Sequence, residues 1–325
     1  MTPSHQKPPT STRRTASRIP GPWFILILMF GCARPGGHGA FERAMTESIT
    51  ILSDTDPEIA ARWRTWHSQH SALELLGPDP TGIERIELPT EFKATAYAAP
   101  IIDATPTEDD LHRHPILGAP PEATPPSQLP TRRQYASSPD LRPPVLGWVA
   151  NGLDAYLAEV NGSVGLRFPG GRLACLDWVR TNQGSYTSLG QRLIEKGHAD
   201  AAGMNLQVIR ALHDENPLLV ETLMLDNDRV VYFEEIPEER WPQASTGVRL
   251  LAGHSVAVDP EVIPLGSILS IERAGGEVMI AMAIDIGGAI KGYRIDLFLG
   301  TGEGSIARAG GVVESVRISV LSPAD

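Results

Sequence analysis

Ala283-Ile284-Asp285-Ile286-Gly287-Gly288-Ala289-Ile290-Lys291-Gly292-Tyr293-Arg294-Ile295-Asp296-Leu297-Phe298-Leu299-Gly300 is the stretch from which the rest of the chain is read. Two apolar runs flank a glycine-rich turn, and each carries one acid, Asp285 and Asp296. Short aliphatic and aromatic runs bounded by glycine are the pattern of β-strands joined by a tight connection. An aspartate inside such a run has two readings: it faces water, or it points into a cleft where lost hydration raises its pKa toward that of a usable general acid. Gly287, Gly288 and Gly292 precede no helical pattern, which excludes a phosphate-cradling loop.

The same texture continues on both sides. Residues 248–251, 255–258, 268–272, 278–284, 295–299 and 316–321 are short β-branched runs punctuated by glycine or proline, as in small β-barrels. Further upstream, 160–168 and 172–178 flank Pro169-Gly170-Gly171, a hairpin pattern, and 230–234 predicts another strand. Helices are predicted over 189–196, closed by Gly197, and over 205–213, where Leu206, Ile209 and Leu212 share a face before Asn216-Pro217 opens a further short one. Residues 89–144 hold 12 of the 28 prolines, so extended strands and wrapping loops are expected there. A helix is predicted over 54–77, capped by Asp54 or Asp56, with Ile59, Trp63, Trp66, His70, Leu73 and Leu76 on one face. His67 and His70 lack a third ligand at metal spacing and read as helix surface, so no metal is expected. Residues 33–49, with Pro35, Gly36, Gly37 and Gly39, read as a flexible tether.

At 325 residues there is room for about two domains, and 42% hydrophobic with 21% charged residues suits a globular protein with a buried core. Lys and Arg number 28 against 39 Asp and Glu, a formal charge of −11, which argues against a nucleic-acid partner. Two cysteines, Cys32 and Cys175, are too few for a disulfide scaffold, and Cys175 reads as a buried apolar thiol. The first 40 residues hold no Asp or Glu but carry Lys7, Arg13, Arg14, Arg18 and Arg34, and the apolar run 23–30 follows four of these, which predicts an export signal over 1–32. That run is far short of the ~20 residues that cross a bilayer.

Several of these segments resemble known patterns. Met29-Phe30-Gly31-Cys32 resembles the cleavage box of bacterial lipoproteins, which implies a lipid on Cys32 or, failing that, ordinary cleavage nearby. Asp285-Ile286-Gly287-Gly288 resembles half of an aspartic-protease site, but that chemistry needs two such segments sharing one proton and the chain offers one. The whole 283–300 stretch resembles the membrane-bound lytic murein transglycosylase A family. It matches that family's Asp-x-Gly-Gly-Ala-Ile-Lys-Gly signature followed by Asp-hydrophobic-aromatic-x-Gly, the second aspartate standing eleven positions after the first. Ser255-Val256-Ala257-Val258-Asp259 and Ile263-Pro264-Leu265-Gly266 resemble the family's first aspartate strand and turn, making Asp259, Asp285 and Asp296 its three aspartates. Thr187-Ser188-Leu189-Gly190, Met204 to Arg210 and Val231-Tyr232-Phe233 follow in family order, and the resemblance runs from about Phe92 to Leu321.

The resemblance implies a mainly β fold: a six-stranded double-psi β-barrel interrupted by a second β-rich domain, with a few helices and a groove between the two. The implied division is 50–100 for the N-terminal helix and the first part of the barrel, 101–244 for the insertion, and 245–325 for the three-aspartate part of the barrel. It further implies a peptidoglycan strand as partner, no cofactor, and membrane contact only through a lipid on Cys32, at the periplasmic face of the outer membrane or, without the lipid, in the periplasm. Cleavage would fall on the β-1,4 bond between N-acetylmuramic acid and N-acetylglucosamine and leave 1,6-anhydro ends. Asp296 would be the general acid and base and Asp285 its support, with Thr95, Tyr97, Asn161 and Ser163 on the substrate and Asp259, Gly287, Gly288 and Gly292 in structural roles. Two motifs depart from the family. Thr95-Ala96-Tyr97-Ala98-Ala99-Pro100 stands for Thr-Gly-Tyr-Tyr-x-Pro, and Asn161-Gly162-Ser163-Val164 for Gln-Gly-Ser-Gly. Read as groove positions, Ala98 and Val164 would weaken glycan binding. Trp148, Trp178 and Tyr186 are either sugar platforms or core aromatics. A murein-binding lipoprotein without catalysis, and a lyase or hydrolase acting on another polysaccharide, are the competing functions.

Overall fold

The structure, a computed structural model, describes residues 37–324 except residue 202. The export signal and Cys32 lie outside the described residues. In chain order the elements are α1 (Gly37–Thr55), α2 (Pro57–His67), β1 (Ile83–Glu87), β2 (Phe92–Ala99), β3 (Ile101–Thr105), β4 (His114–Leu117), α3 (Arg132–Ser137), β5 (Val145–Val149), α4 (Gly152–Asn161), β6 (Ser163–Arg167), β7 (Leu173–Thr181), α5 (Leu189–Glu195), α6 (Leu206–Glu215), α7 (Pro217–Met224), β8 (Val231–Ile236), β9 (Ser255–Ala257), β10 (Ile268–Arg273), β11 (Val278–Asp285), β12 (Arg294–Thr301), α8 (Glu303–Ala309) and β13 (Val313–Pro323).

Strands β13, β10, β11, β9, β12 and β2 are neighbours in that order, and β2 pairs again with β13, which closes a six-stranded double-psi barrel. The pairs β9/β11 and β2/β12 are parallel and the others antiparallel, while β1 lies on β13 as an outer seventh strand. Alternation along each strand fills the barrel: Phe92 and Ala94, Val256 and Val258, Ala281 and Ala283, and Ile295 and Leu297 pack into one buried cluster. The intervening residues Met282, Ile284 and Phe298 join the helices on the outside.

Helix α1 corrects the tether expected over 33–49 from residue 37 onward, residues 33–36 lying outside the described residues. Phe41, Met45, Ile49 and Leu52 recur at three and four positions and are all buried, and Ser48 Oγ donates to Gly266 O at 3.0 Å. The glycine-rich start drew the reading away from that apolar stripe. The helix predicted over 54–77 is also divided. Asp56 caps α2 through the Ile59 amide, α2 ends at His67, and Ser71 opens a separate 3-10 turn over Ala72–Leu76 by a capping box with Glu74.

The second sheet runs β4, β5, β3, β6, β7, β8, and a bridge between Gly118 and Phe233 brings its two ends together. Its strands lie between β2 and β9 in the chain, so this unit interrupts the barrel. The strand predicted from residue 160 is corrected: 160 and 161 end α4, which Asn151 caps and Gly162 terminates at φ 74°. The run 248–251 forms no strand; it contributes a bridge between Gln243 and Arg249 and packs Val248 and Leu250 on the barrel exterior.

Candidate active site

Asp285 and Asp296 meet across β9. Both pair with Ala257, Asp296 from β12 and Asp285 from β11, so their Cα atoms stand about two strand spacings, ~10 Å, apart. A register shift between Ala283 and Asp285 re-aims the latter side chain at the strand end. In the parallel β2/β12 pair Thr95 stands opposite Asp296 and Tyr97 opposite Phe298, which carries both β2 side chains to the acids.

Thr95 Oγ1 donates to Asp296 Oδ1 at 2.6 Å. Burial pushes the Asp296 carboxyl above the ordinary carboxylate range; the Thr95 hydrogen bond and Arg294 oppose this, and the charge of Asp285 adds to it. Asp285 accepts three hydrogen bonds, from Tyr97 OH at 2.6 Å, the Ser245 amide at 2.8 Å and its neighbour Ile286 N at 2.9 Å. The Tyr97 phenol is held well above its usual range, by burial first and then by Asp285, so it remains a donor. One carboxyl is therefore disposed to hold a proton, and the other is fixed by donors.

Asp259 belongs to the loop behind them. It is buried, its Oδ2 accepts from Gly292 N at 2.7 Å, and its Oδ1 lies 3.9 Å from Lys291 Nζ. The Gly292 amide bond holds its carboxyl below the usual range. Gly292 sits at φ 61°, and a Cβ on Gly287 would come within 2.7 Å of Ile290, so the loop is folded tightly at both glycines. A Cβ on Gly288 would meet nothing within 4 Å.

A cleft of about 520 Å³ separates barrel and inserted sheet. Tyr97, Ala98, Asp285 and Asp296 line it from the barrel, and Asn161, Ser163, Trp178 and Tyr186 from the insertion. Trp178 and Tyr186 are about half exposed rather than core. Ser163 is buried and its hydroxyl donates to Leu176 O at 3.4 Å, so it shapes the cleft floor. Val164 is corrected: it is fully buried in the core of the inserted sheet beside Leu166 and Leu176 and does not line the cleft, because alternation along β6 turns it away from Ser163. Two features of the cleft and one buried beside it escaped the sequence reading. Arg229 and the ion pair Arg132–Glu159 stand on the wall, and Asp177, 7% exposed, lies opposite Ser163 in the β6/β7 ladder. Isolated charges in strands and loops form no pattern that spacing can reveal.

A double-psi barrel carrying two carboxyls at the rim of a cleft, with a second β-unit as the facing wall, defines a class of two-unit proteins whose acids sit where barrel and insertion meet. Known proteins share this architecture. Residues 93–234 match the MltA specific insert domain and residues 254–322 the 3D domain. The chain is 29% identical over 245 residues to the membrane-bound lytic murein transglycosylase A of Escherichia coli K12, covering 71% of this chain and 65% of that protein. It is 29% identical over 276 residues to the Vibrio cholerae protein of the same name, covering 80% and 70%. Among solved structures, the membrane-bound lytic murein transglycosylase of Agrobacterium tumefaciens superposes with a TM-score of 0.73 at 22% identity, covering 89% of this chain and 95% of that one. Escherichia coli MltA with bound chitohexaose superposes at 0.72 and 24%, covering 87% and 90%. The chain belongs to the membrane-bound lytic murein transglycosylase A family, and it spans just under two thirds of the length of the first Escherichia coli relative.

Proposed function

We propose that the protein is a peptidoglycan lytic transglycosylase that cleaves the β-1,4 bond between N-acetylmuramic acid and N-acetylglucosamine. The observation that carries this reading is Asp296: a cleft carboxyl whose burial favours the protonated form, held by Thr95 at 2.6 Å. A glycan strand suits the cleft in size and lining, and the Escherichia coli relative has been solved with chitohexaose.

In the proposed reaction Asp296 gives its proton to the glycosidic oxygen, which leaves as the 4-hydroxyl of N-acetylglucosamine while the bond to the muramoyl anomeric carbon breaks. The muramoyl 6-hydroxyl then attacks that carbon, its proton passes to Asp296, and the ring closes as a 1,6-anhydro sugar. The internal nucleophile is already at high effective concentration, so no second carboxylate is required to activate water. Asp285 supports the charge that develops at the sugar, Thr95 and Tyr97 position the two carboxyls, and Asn161 offers an amide to the strand. The inserted unit is assigned to 101–244. Export and a lipid on Cys32 place the enzyme at the periplasmic face of the outer membrane; wild type and Cys32→Ser should then fractionate differently, and equal recovery in the soluble exported fraction would support a soluble periplasmic protein.

The deciding experiment is a digest of purified murein read by mass spectrometry. Products should be one water lighter than hydrolytic fragments, and Asp296→Asn should release none while keeping its circular dichroism. Reducing ends throughout would make the protein a hydrolase with Asp285 as its second carboxyl. Binding to sacculi without release would support the non-catalytic alternative.

A further inference from the structure

Three arginines line the cleft, and their surroundings differ. Arg132 is neutralised by Glu159 through two parallel bonds, Nη1 to Oε1 at 2.8 Å and Nη2 to Oε2 at 3.0 Å. Arg294 donates to Ala289 O and Thr95 Oγ1, both at 3.3 Å, and acts on Asp296. Arg229 is exposed, and among the described residues its side chain makes one hydrogen bond, from Nε to Gly184 O at 3.3 Å, and no ion pair. Both of its Nη amines remain open to a ligand.

This guanidinium is nonetheless held in place. It lies 5.8 Å from the centre of the Tyr186 ring, and the segments carrying the two residues are laced together. Buried Asn182 donates to Asp228 O at 2.9 Å and accepts from Val230 N at 3.0 Å; buried Asn227 accepts from Thr187 N at 3.2 Å and Arg229 N at 3.3 Å. At Gly184 a Cβ would come within 2.7 Å of Asp228 O, so only glycine permits this approach. A fixed guanidinium fork beside an exposed aromatic face suits a carboxylate carried on a sugar ring.

We propose that Arg229, held against Tyr186, is a carboxylate subsite that makes the cleft prefer muramoyl residues bearing a carboxylate over neutral oligosaccharide. The inference rests on the murein reading above and names which murein the cleft selects. The carboxylate has two sources: the lactyl group of a peptide-free strand, where it is free, or the acidic residues of a stem peptide, where the lactyl carboxyl is tied up as an amide.

Calorimetric titration with three probes of similar length, chitohexaose, amidase-treated peptide-free glycan and stem-bearing glycan, tests this on Asp296→Asn protein, which holds the strands without cleaving them, alone and combined with Arg229→Gln or Arg229→Lys. Asp296→Asn alone should bind a carboxylate-bearing probe on the order of fivefold more tightly than chitohexaose, and the preference should shrink at high salt. Arg229→Gln should lose the preference; Arg229→Lys should keep part of it, because an ammonium retains charge but not the fork. Preference for the peptide-free probe assigns the site to the lactyl carboxylate, and preference for the other assigns it to the stem. Equal binding of all three, or a preference that survives Arg229→Gln, overturns the subsite and leaves the glycan reading standing. Failure of all three to bind overturns both.

Discussion

Thr95, Arg294 and Asp285 act on the Asp296 proton with different signs, and this makes the assignment testable without relying on loss of activity. The Thr95 hydrogen bond and the Arg294 charge favour ionised Asp296, whereas Asp285 favours the protonated form. A general acid works while protonated, so activity should fall as pH rises through the Asp296 pKa. Thr95→Val and Arg294→Gln should move that alkaline limb to higher pH, and Asp285→Asn should move it lower. Limbs that all shift one way would show that the substitutions act through general distortion. Tyr97→Phe removes one of three donors to Asp285 and should cost about 1 to 2 kcal/mol in kcat, a factor of about five to thirty, measured by muropeptide release. The two acids were legible in sequence because each lies in an apolar run beside diagnostic glycines. Asp177 and Arg229 were not, since a lone charge acquires meaning only from the strand or loop laid beside it.

Among the elements, the β-branched runs of the C-terminal third were legible because a barrel strand buried on both faces needs apolar residues nearly throughout. Helices α1 and α4 were missed for opposite reasons. The apolar stripe of α1 begins among glycines, and α4 runs straight into β6 with only Gly162 between them. Gly266, at φ 88°, marks how tightly α1 docks, since a Cβ there would lie 2.4 Å from Leu52 N. Gly266→Ala should therefore destabilise the fold by about 1 to 3 kcal/mol in urea unfolding, and a neutral result would mean that α1 contributes little. Phe41→Ala should cost about 3 to 5 kcal/mol by leaving a cavity at the same seam. Val164→Gly, attractive as repair of a glycan motif, opens a cavity in the inserted core and should cost about 2 to 4 kcal/mol without tightening glycan binding.

At the scale of the whole molecule, barrel and inserted sheet share an apolar seam, with Cys175 of β7 in the same buried cluster as Ile284 and Phe298, and they also act on each other through charge, which Asp177 reports. It stands on β7 of the inserted sheet with Oδ1 lacking a hydrogen-bond partner among the described residues, and burial pushes its carboxyl up to about 7. Ser163 and Arg240 oppose the rise, while Asp285, on the barrel, and Glu234, on the neighbouring strand, add to it. The sign of the effect on stability follows from which state holds the proton. Below about pH 4 folded and unfolded chains both carry it, and Asp177 is neutral to folding. Between about 4 and 7 the folded chain keeps a proton that the unfolded chain has released, so stability declines as pH rises, and above 7 the full cost is present. The total is on the order of a few kcal/mol. Asp259, with its depressed carboxyl, works in reverse: its contribution is present above the unfolded pKa and lost as pH falls through the folded one. Over the same range the raised Asp296 adds to the decline, while His114 and His254, lowered by burial, oppose it, so in urea unfolding the change in stability from pH 5 to pH 8 should be less unfavourable in Asp177→Asn than in wild type, because the amide cannot ionise. Asp285→Asn should recover part of the same difference by two routes, relieving Asp177 across the cleft and Asp296 within the barrel, and the part that disappears once Asp177→Asn is already present is the one felt across the cleft. A pH dependence unchanged in both variants would place the titrating group elsewhere; a change in Asp177→Asn alone would confine the effect to the inserted sheet.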